Sequence, residues 1–207
     1  MILGTACAKN VTIRPPVSTS LGYSVFQALG EINRAPIHVG LLLDPKLRAE
    51  TIRVSKELAT AEIAFGEIVS AKLIQALSYK FERITLVDGG NTPPLLLHLA
   101  LEGEQPSVGV DIRQYPTALT GAATFEVVAK VDARLRATLT DKGQTVWIGH
   151  ARVVEEMVSG VAAYGVAEGS AQAAELANRA TDKLVADLML QIRRSSELTK
   201  FIEDNKR

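Results

Sequence analysis

The chain predicts an α/β (α+β) fold in two layers, a mixed and largely antiparallel sheet carrying two main helices on one face. Three observations lead there. From 125 to 139 the odd positions read Phe, Val, Ala, Val, Ala, Leu, Ala, Leu, while the even ones are Glu126, Val128, Lys130, Asp132, Arg134, Arg136 and Thr138. That unbroken period of two marks a long strand with one buried and one wet face. Residues 66–81 and 171–193 repeat their apolar side chains at helical spacing instead, and short apolar runs closed by Pro, Gly or Asp separate these segments.

In chain order, residues 8–34 hold Pro15-Pro16, the cluster Ser18-Thr19-Ser20 and no sustained helical or strand period. This predicts an extended tether ahead of a single α/β domain over 35–207. Residues 36–43 form an apolar run stopped by Asp44-Pro45, a buried strand; 51–64 follow neither period. In the helix over 66–81, Val69, Leu73, Ala76, Leu77 and Phe81 share the core-bound face, with Glu67, Lys72, Gln75 and Lys80 placed elsewhere. Residues 84–87 read as a strand ending at Asp88-Gly89-Gly90-Asn91. After Thr92-Pro93-Pro94, the apolar run 95–101 fits either a helix opened by the prolines or a covered edge segment. Residues 107–113 alternate as a strand.

The alternating strand returns through Asp141-Lys142-Gly143, where glycine supplies the positive φ a tight turn needs, so 125–154 predicts a long antiparallel hairpin. Its second strand holds Trp147. Residues 160–170, rich in Gly and Ala, read as a flexible loop. In the helix over 171–193, Ala173, Ala177, Ala180, Leu184 and Leu188 make one stripe, widened by Leu176, Val185 and Ile192. Ser195-Ser196-Glu197 caps a last short helix over 198–202.

Composition bounds the function. The 207 residues suffice to bury a core without disulfides or metals. Lys plus Arg equals Asp plus Glu at 23 each, so no global field draws nucleic acid to the surface. The single cysteine, Cys7, excludes an internal disulfide and a cysteine-built zinc site. No apolar run reaches the roughly 18 to 20 residues of a membrane span.

Candidate chemistry is sparse. His38, His98 and His150 lack a second donor at metal-binding spacing, and no Gly-x-Ser-x-Gly elbow frames a nucleophile. The turn at Asp88-Gly89-Gly90-Asn91 resembles a phosphate cradle only superficially, because the prolines after it remove two amide donors. No catalytic set, metal or cofactor is therefore expected. Arg134, Arg136 and Arg152 meet on the wet face of the hairpin beside Asp132. They are read either as a solvated, partly paired strand face or as a face for a small anion, a lipid headgroup or a partner.

Two resemblances add to this. Leu3-Gly4-Thr5-Ala6-Cys7 resembles a bacterial lipoprotein processing site, with small residues before the cysteine but Gly4 where leucine is usual and only Met1-Ile2-Leu3 for an apolar region. Residues 1–7 are then the remnant of a lipoprotein signal, with Cys7 as the lipidation site. Ala8, where an aspartate would retain the protein at the inner membrane, implies the periplasmic side of the outer membrane in a Gram-negative host.

The second resemblance lies in the C-terminal third. Ala133-Arg134-Leu135-Arg136-Ala137-Thr138-Leu139 with its return strand, the Gly-rich loop, the Ala-bearing helix and the closing Ser196-Glu197-Leu198-Thr199-Lys200-Phe201-Ile202 are similar to the YajG family of small bacterial lipoproteins, over roughly residues 125–203. The middle, 35–101, is longer than that family's and resembles the auxiliary lipoproteins of ABC-type lipid transport systems. Neither family supplies a catalytic residue to transfer.

The expectation is a lipid-anchored periplasmic binding or adaptor protein supporting envelope assembly or transport, without catalysis. Its partners would be a membrane, through the anchor, and a protein or a second copy of the chain, with no nucleic acid. Two rivals stay open: an enzyme whose Asp88 and Asn91 converge with His98 or His150, and a cytosolic structural protein whose Cys7 stays unmodified.

Overall fold

The computed structural model describes residues 11–56, 59–87, 93–102, 106–116, 123–160 and 166–205. The first half of the chain runs β1 (Val11–Ile13), α1 (Tyr23–Leu29), β2 (Ala35–Leu43), α2 (Pro45–Ala49), β3 (Ile52–Lys56), β4 (Ala59–Ile63) and α3 (Phe65–Lys80). The second runs β5 (Phe81–Leu86), β6 (Leu95–Leu101), β7 (Ser107–Pro116), β8 (Ala123–Asp141), β9 (Gln144–Gly160), α4 (Val166–Arg194) and α5 (Ser196–Asp204).

The strands make two sheets. In the larger, β2 lies between β5 and β6, parallel to both, and β6 pairs antiparallel with β8. The 19-residue β8 is long enough for two partners along one side, with β6 against 135–141 and β7 against 123–132. β9 pairs with its other side from 126 to 141 and forms the edge. In the smaller sheet, β4 joins β3 antiparallel and β1 parallel. The mixed, largely antiparallel sheet and the long hairpin are as the sequence predicts; the second sheet is an addition to it.

Parity decides the layers. Leu41 and Leu43 of β2, Leu97 and Leu99 of β6, Leu135, Ala137 and Leu139 of β8, and Trp147, Ala151 and Val153 of β9 all point to one side and are buried. They join one core with Ile68, Leu73 and Leu77 of α3 and Leu176, Leu184, Leu188 and Ile192 of α4. The alternate residues, Leu42, Leu96, His98, Ala100, Arg134, Arg136, Thr138, Ile148, His150 and Arg152, point away from the helices and keep some exposure. One face is covered; the other is open.

The hairpin turn places Lys142 and Gly143 at φ of 47° and 84°. Two successive positive φ values give the backbone twist that matches paired strands, and glycine takes its share without a Cβ clash. Because Leu139 pairs with Trp147 and Thr140 with Thr145, Val146 is an extra residue in β9. Val87 and Pro93 both lie close over β2 on the open side: a Cβ on Gly40 would come within 2.9 Å of Pro93 and 3.0 Å of Val87. The bare glycine leaves room for that close approach.

Four expectations are corrected. From Val11 onward, the tether expected over 8–34 carries β1 and α1, with Val25, Ala28 and Leu29 buried and the Gly22 amide donating to Asp182 at 2.9 Å. Two turns of helix are too short a window for the period to stand out. The run 95–101 is neither helix nor edge but an interior strand, since a strand buried in mid-sheet reads as continuous apolar sequence. The loop expected over 160–170 is helical from Val166, making α4 29 residues long, and 161–165 lie outside the described residues. Lys72, set apart from the core face of α3, is fully buried. The undecided stretch 51–64 is the β3–β4 hairpin. The final cap is as expected: Ser195 Oγ accepts from the Leu198 amide at 3.0 Å.

Candidate functional site

The open face of the larger sheet brings together most of the polar side chains that the sequence singled out. Their rows follow from register: His98 lies beside Thr138 and then Ile148, and Ala100 beside Arg136 and then His150. Arg134 neighbours Arg152 directly. The three arginines thus share one face, but they differ in company. Asp132 accepts from Arg152 Nη2 at 3.0 Å and lies 4.0 Å from Arg134 Nε. The Arg152 hydrogen bond holds the Asp132 carboxyl below its ordinary range, and the same bond raises Arg152. Further along, Lys130 pairs with Glu156 at 3.7 Å. Two of the three cations are thereby drawn into exposed pairs, which contribute little to stability.

Arg136 has no ion-pair partner among the described residues. It borders a groove of about 610 Å³ lined by Leu42, Leu96, His98, Ala100, Leu101, Glu102, Thr138 and Thr140. The floor is leucine and alanine from β2 and β6, the wall is hydroxyl and guanidinium from β8. At its end, His150 Nδ1 meets Glu102 Oε2 at 2.9 Å across β8. An arginine beside an apolar floor offers a fork of donors to a carboxylate or phosphate and contact area to whatever bears it.

The remaining clusters join elements. Lys72 Nζ donates to Asp182 Oδ1 and Asn178 Oδ1, both at 2.7 Å, and the same Asp182 oxygen receives the Gly22 amide. Glu155, on the covered face of β9, accepts from Arg179 at 3.0 Å and from Lys183. At the α4–α5 junction a second cleft, about 430 Å³, is lined by Trp147, Asp187, Leu190, Gln191 and Arg194 among others.

Of the other expected positions, Cys7, Asp88 and Asn91 lie outside the described residues. The histidines do not gather: His38 meets Thr85 at 2.8 Å on the same open face but toward the β2–β5 edge, His98 lines the groove and His150 is engaged by Glu102. Among the described residues no three His, Cys, Asp or Glu side chains are placed to hold a metal. Sequence reasoning missed Glu102, which follows the run misassigned as helix or edge, and the acceptors on α4. Asp182, Asp187 and Gln191 fall at helical spacing with the apolar stripe, but nothing local distinguishes them from solvated helix residues.

The fold and the site define a two-layer α/β domain with helices on one sheet face and a partly apolar, arginine-bearing face left open. No family model matches the chain, and no curated protein matches it in sequence. Among solved structures, it is similar to a homologue of a neuraminyllactose-binding hemagglutinin from Helicobacter pylori, at TM-score 0.52 and 14% identity over 84% of this chain and 95% of that one. A DUF330-family protein from Xanthomonas campestris gives TM-score 0.45 at 10% identity, over 90% and 99% of the two chains. Uncharacterized lipoprotein B from Nitrosomonas europaea gives 0.41 at 12%, over 83% and 93%. The Helicobacter similarity, nearly end to end on both chains, is a similarity of fold.

Proposed function

We propose that the protein is a non-catalytic binding or adaptor lipoprotein of the bacterial envelope, anchored through acyl chains on Cys7 and working through the open sheet face. The observation that carries the binding role is the groove beside Arg136, a cation without a partner among the described residues, set next to an apolar floor. Covering that groove would remove leucine surface from water and give the guanidinium a counter-charge, two gains that add. The resemblance of residues 1–7 to a lipoprotein processing site and of 125–203 to the YajG family supports the anchor. Placement at the outer membrane, and service to envelope assembly or transport, rest on those resemblances.

Two experiments test the reading. Mass spectrometry of the mature N-terminus from the native host should find diacylglyceryl-modified Cys7, and Cys7→Ser should move the protein from the membrane to the soluble fraction. An unmodified Cys7 in membrane-free extract would return the cytosolic rival. Photo-cross-linkers at Thr138 and Ile148 should give a discrete adduct in intact envelopes that Arg136→Glu weakens, whereas a cross-linker at Lys200 on α5 should not. Equal labelling from both sites would remove the open face from the mechanism.

A further inference from the structure

Among the described residues β9 pairs only with β8 and so forms an edge of the larger sheet, and such an edge is a template for another strand. Its outward backbone groups belong to alternate residues, and two of these are already taken. The His150 amide donates to Gln191 Oε1 at 3.1 Å, and Gln191 Nε2 donates to the His150 carbonyl at 2.9 Å. One carboxamide therefore meets both groups of one residue, as the peptides of a neighbouring strand would. One helical turn earlier, Asp187 Oδ2 accepts from the Arg152 amide at 3.2 Å. A carboxylate has no donor to return, so the pairing there is single.

The spacings explain why a helix does this. Residues four apart on a helix rise about 6 Å, and residues two apart on a strand about 6.7 Å, so side chains at 187 and 191 come to rest opposite 152 and 150, respectively. Neither the Asp187 nor the Gln191 side chain makes another hydrogen bond among the described residues. The next position back along this stripe, Lys183, turns instead to the buried Glu155. The stripe 183, 187, 191 thus runs along β9 without offering the apolar contacts of the core stripe.

We propose that Asp187 and Gln191 act as a surrogate strand that closes the β9 edge against a second copy of this chain. The occupant excluded is β9 itself in antiparallel register. The edge is long, and its outer side chains include the exposed Ile148 and Val154, apolar pairs for the same residues of a second copy. The inference is independent of the open-face reading, because it concerns the strand's backbone edge.

Hydrogen exchange on the wild-type protein is the first test. The His150 and Arg152 amides point away from β8, yet they should exchange on the order of fivefold to tenfold more slowly than the outward amide of Val154, as expected for one added hydrogen bond each. Equal exchange at 150, 152 and 154 overturns the proposal. The second test is the Asp187→Ala/Gln191→Ala variant by sedimentation. The wild type should sediment as a monomer and the variant as a concentration-dependent dimer, with 150 and 152 protected again only in the dimer. Adding Arg152→Pro, which removes an outward donor and no bond to β8, should restore the monomer. A folded double variant that stays monomeric at every concentration, or a wild type already dimeric through β9, sinks the idea. If the double variant fails to fold, the wild-type exchange pattern still decides.

Discussion

Glu155 is a carboxylate that contacts distant in sequence both bury and pair. Its side chain is 5% exposed, on the parity of β9 that faces the helices. Burial alone pushes its carboxyl up, but hydrogen bonds from Lys183 and Arg179 outweigh that and hold it below the ordinary 4.5. A carboxyl depressed in the folded state contributes stability above its unfolded value and loses it as pH falls through the folded value. Glu50 runs the other way: burial raises it, so its contribution is present below 4.5 and is lost as pH rises. Glu155→Gln should therefore flatten a stability-against-pH curve below 4.5, and Glu50→Gln should make stability rise more steeply with pH just above 4.5. Chemical denaturation at a series of acid pH values reads both slopes. Glu155 lies one residue beyond the hairpin read from the sequence, and that Arg179 and Lys183 meet it there is a matter of how α4 crosses β9.

At the scale of elements, one buried contact ties three of them. Lys72 of α3 is held by Asn178 and Asp182 of α4, and Asp182 also holds Gly22 at the start of α1. Lys72→Ala leaves the Asp182 carboxylate, 14% exposed, without its cation. Breaking a buried pair from one side costs about 3 to 5 kcal/mol, and urea denaturation should show a loss of that size. Lys72→Met, which keeps the aliphatic stem, should cost less. The sequence put Lys72 off the core stripe of α3 because the stripe was drawn for one neighbour, the sheet. The structure gives α3 a second neighbour in α4, and the lysine lies against it. The same reasoning covers β6, whose apolar run looked like a helix or an edge. Only its partners on both sides make it an interior strand.

For the whole molecule, the N-terminal segment changes meaning. Residues 23–29 are helix packed on α4 and α3, and Val25, Ala28 and Leu29 belong to the single core. A chain beginning at residue 35, cut as though everything before were tether, should lose on the order of 4 kcal/mol from that apolar burial alone. Thermal unfolding of the two lengths, measured side by side, checks it; equal midpoints would return 11–34 to the status of tether. The correction bears on any anchor at Cys7, because the described chain is already part of the folded body at Val11 and little length is left to set reach.

By itself the sequence determined the hairpin, its turn, the two main helices and the capped terminal one. Each of these is written in local periodicity or in a residue's own backbone preference. It also put Arg134, Arg136 and Arg152 on one face, because alternation along paired strands fixes parity. Tertiary structure decided which of those arginines has no ion-pair partner among the described residues, since Asp132 can serve Arg134 and Arg152 only across a particular register. It decided that β6 is central, that Lys72 is buried, and that α4 closes the β9 edge with two side chains one turn apart. Those are contacts between segments distant in sequence, and a local pattern carries no information about which distant segment will arrive beside it.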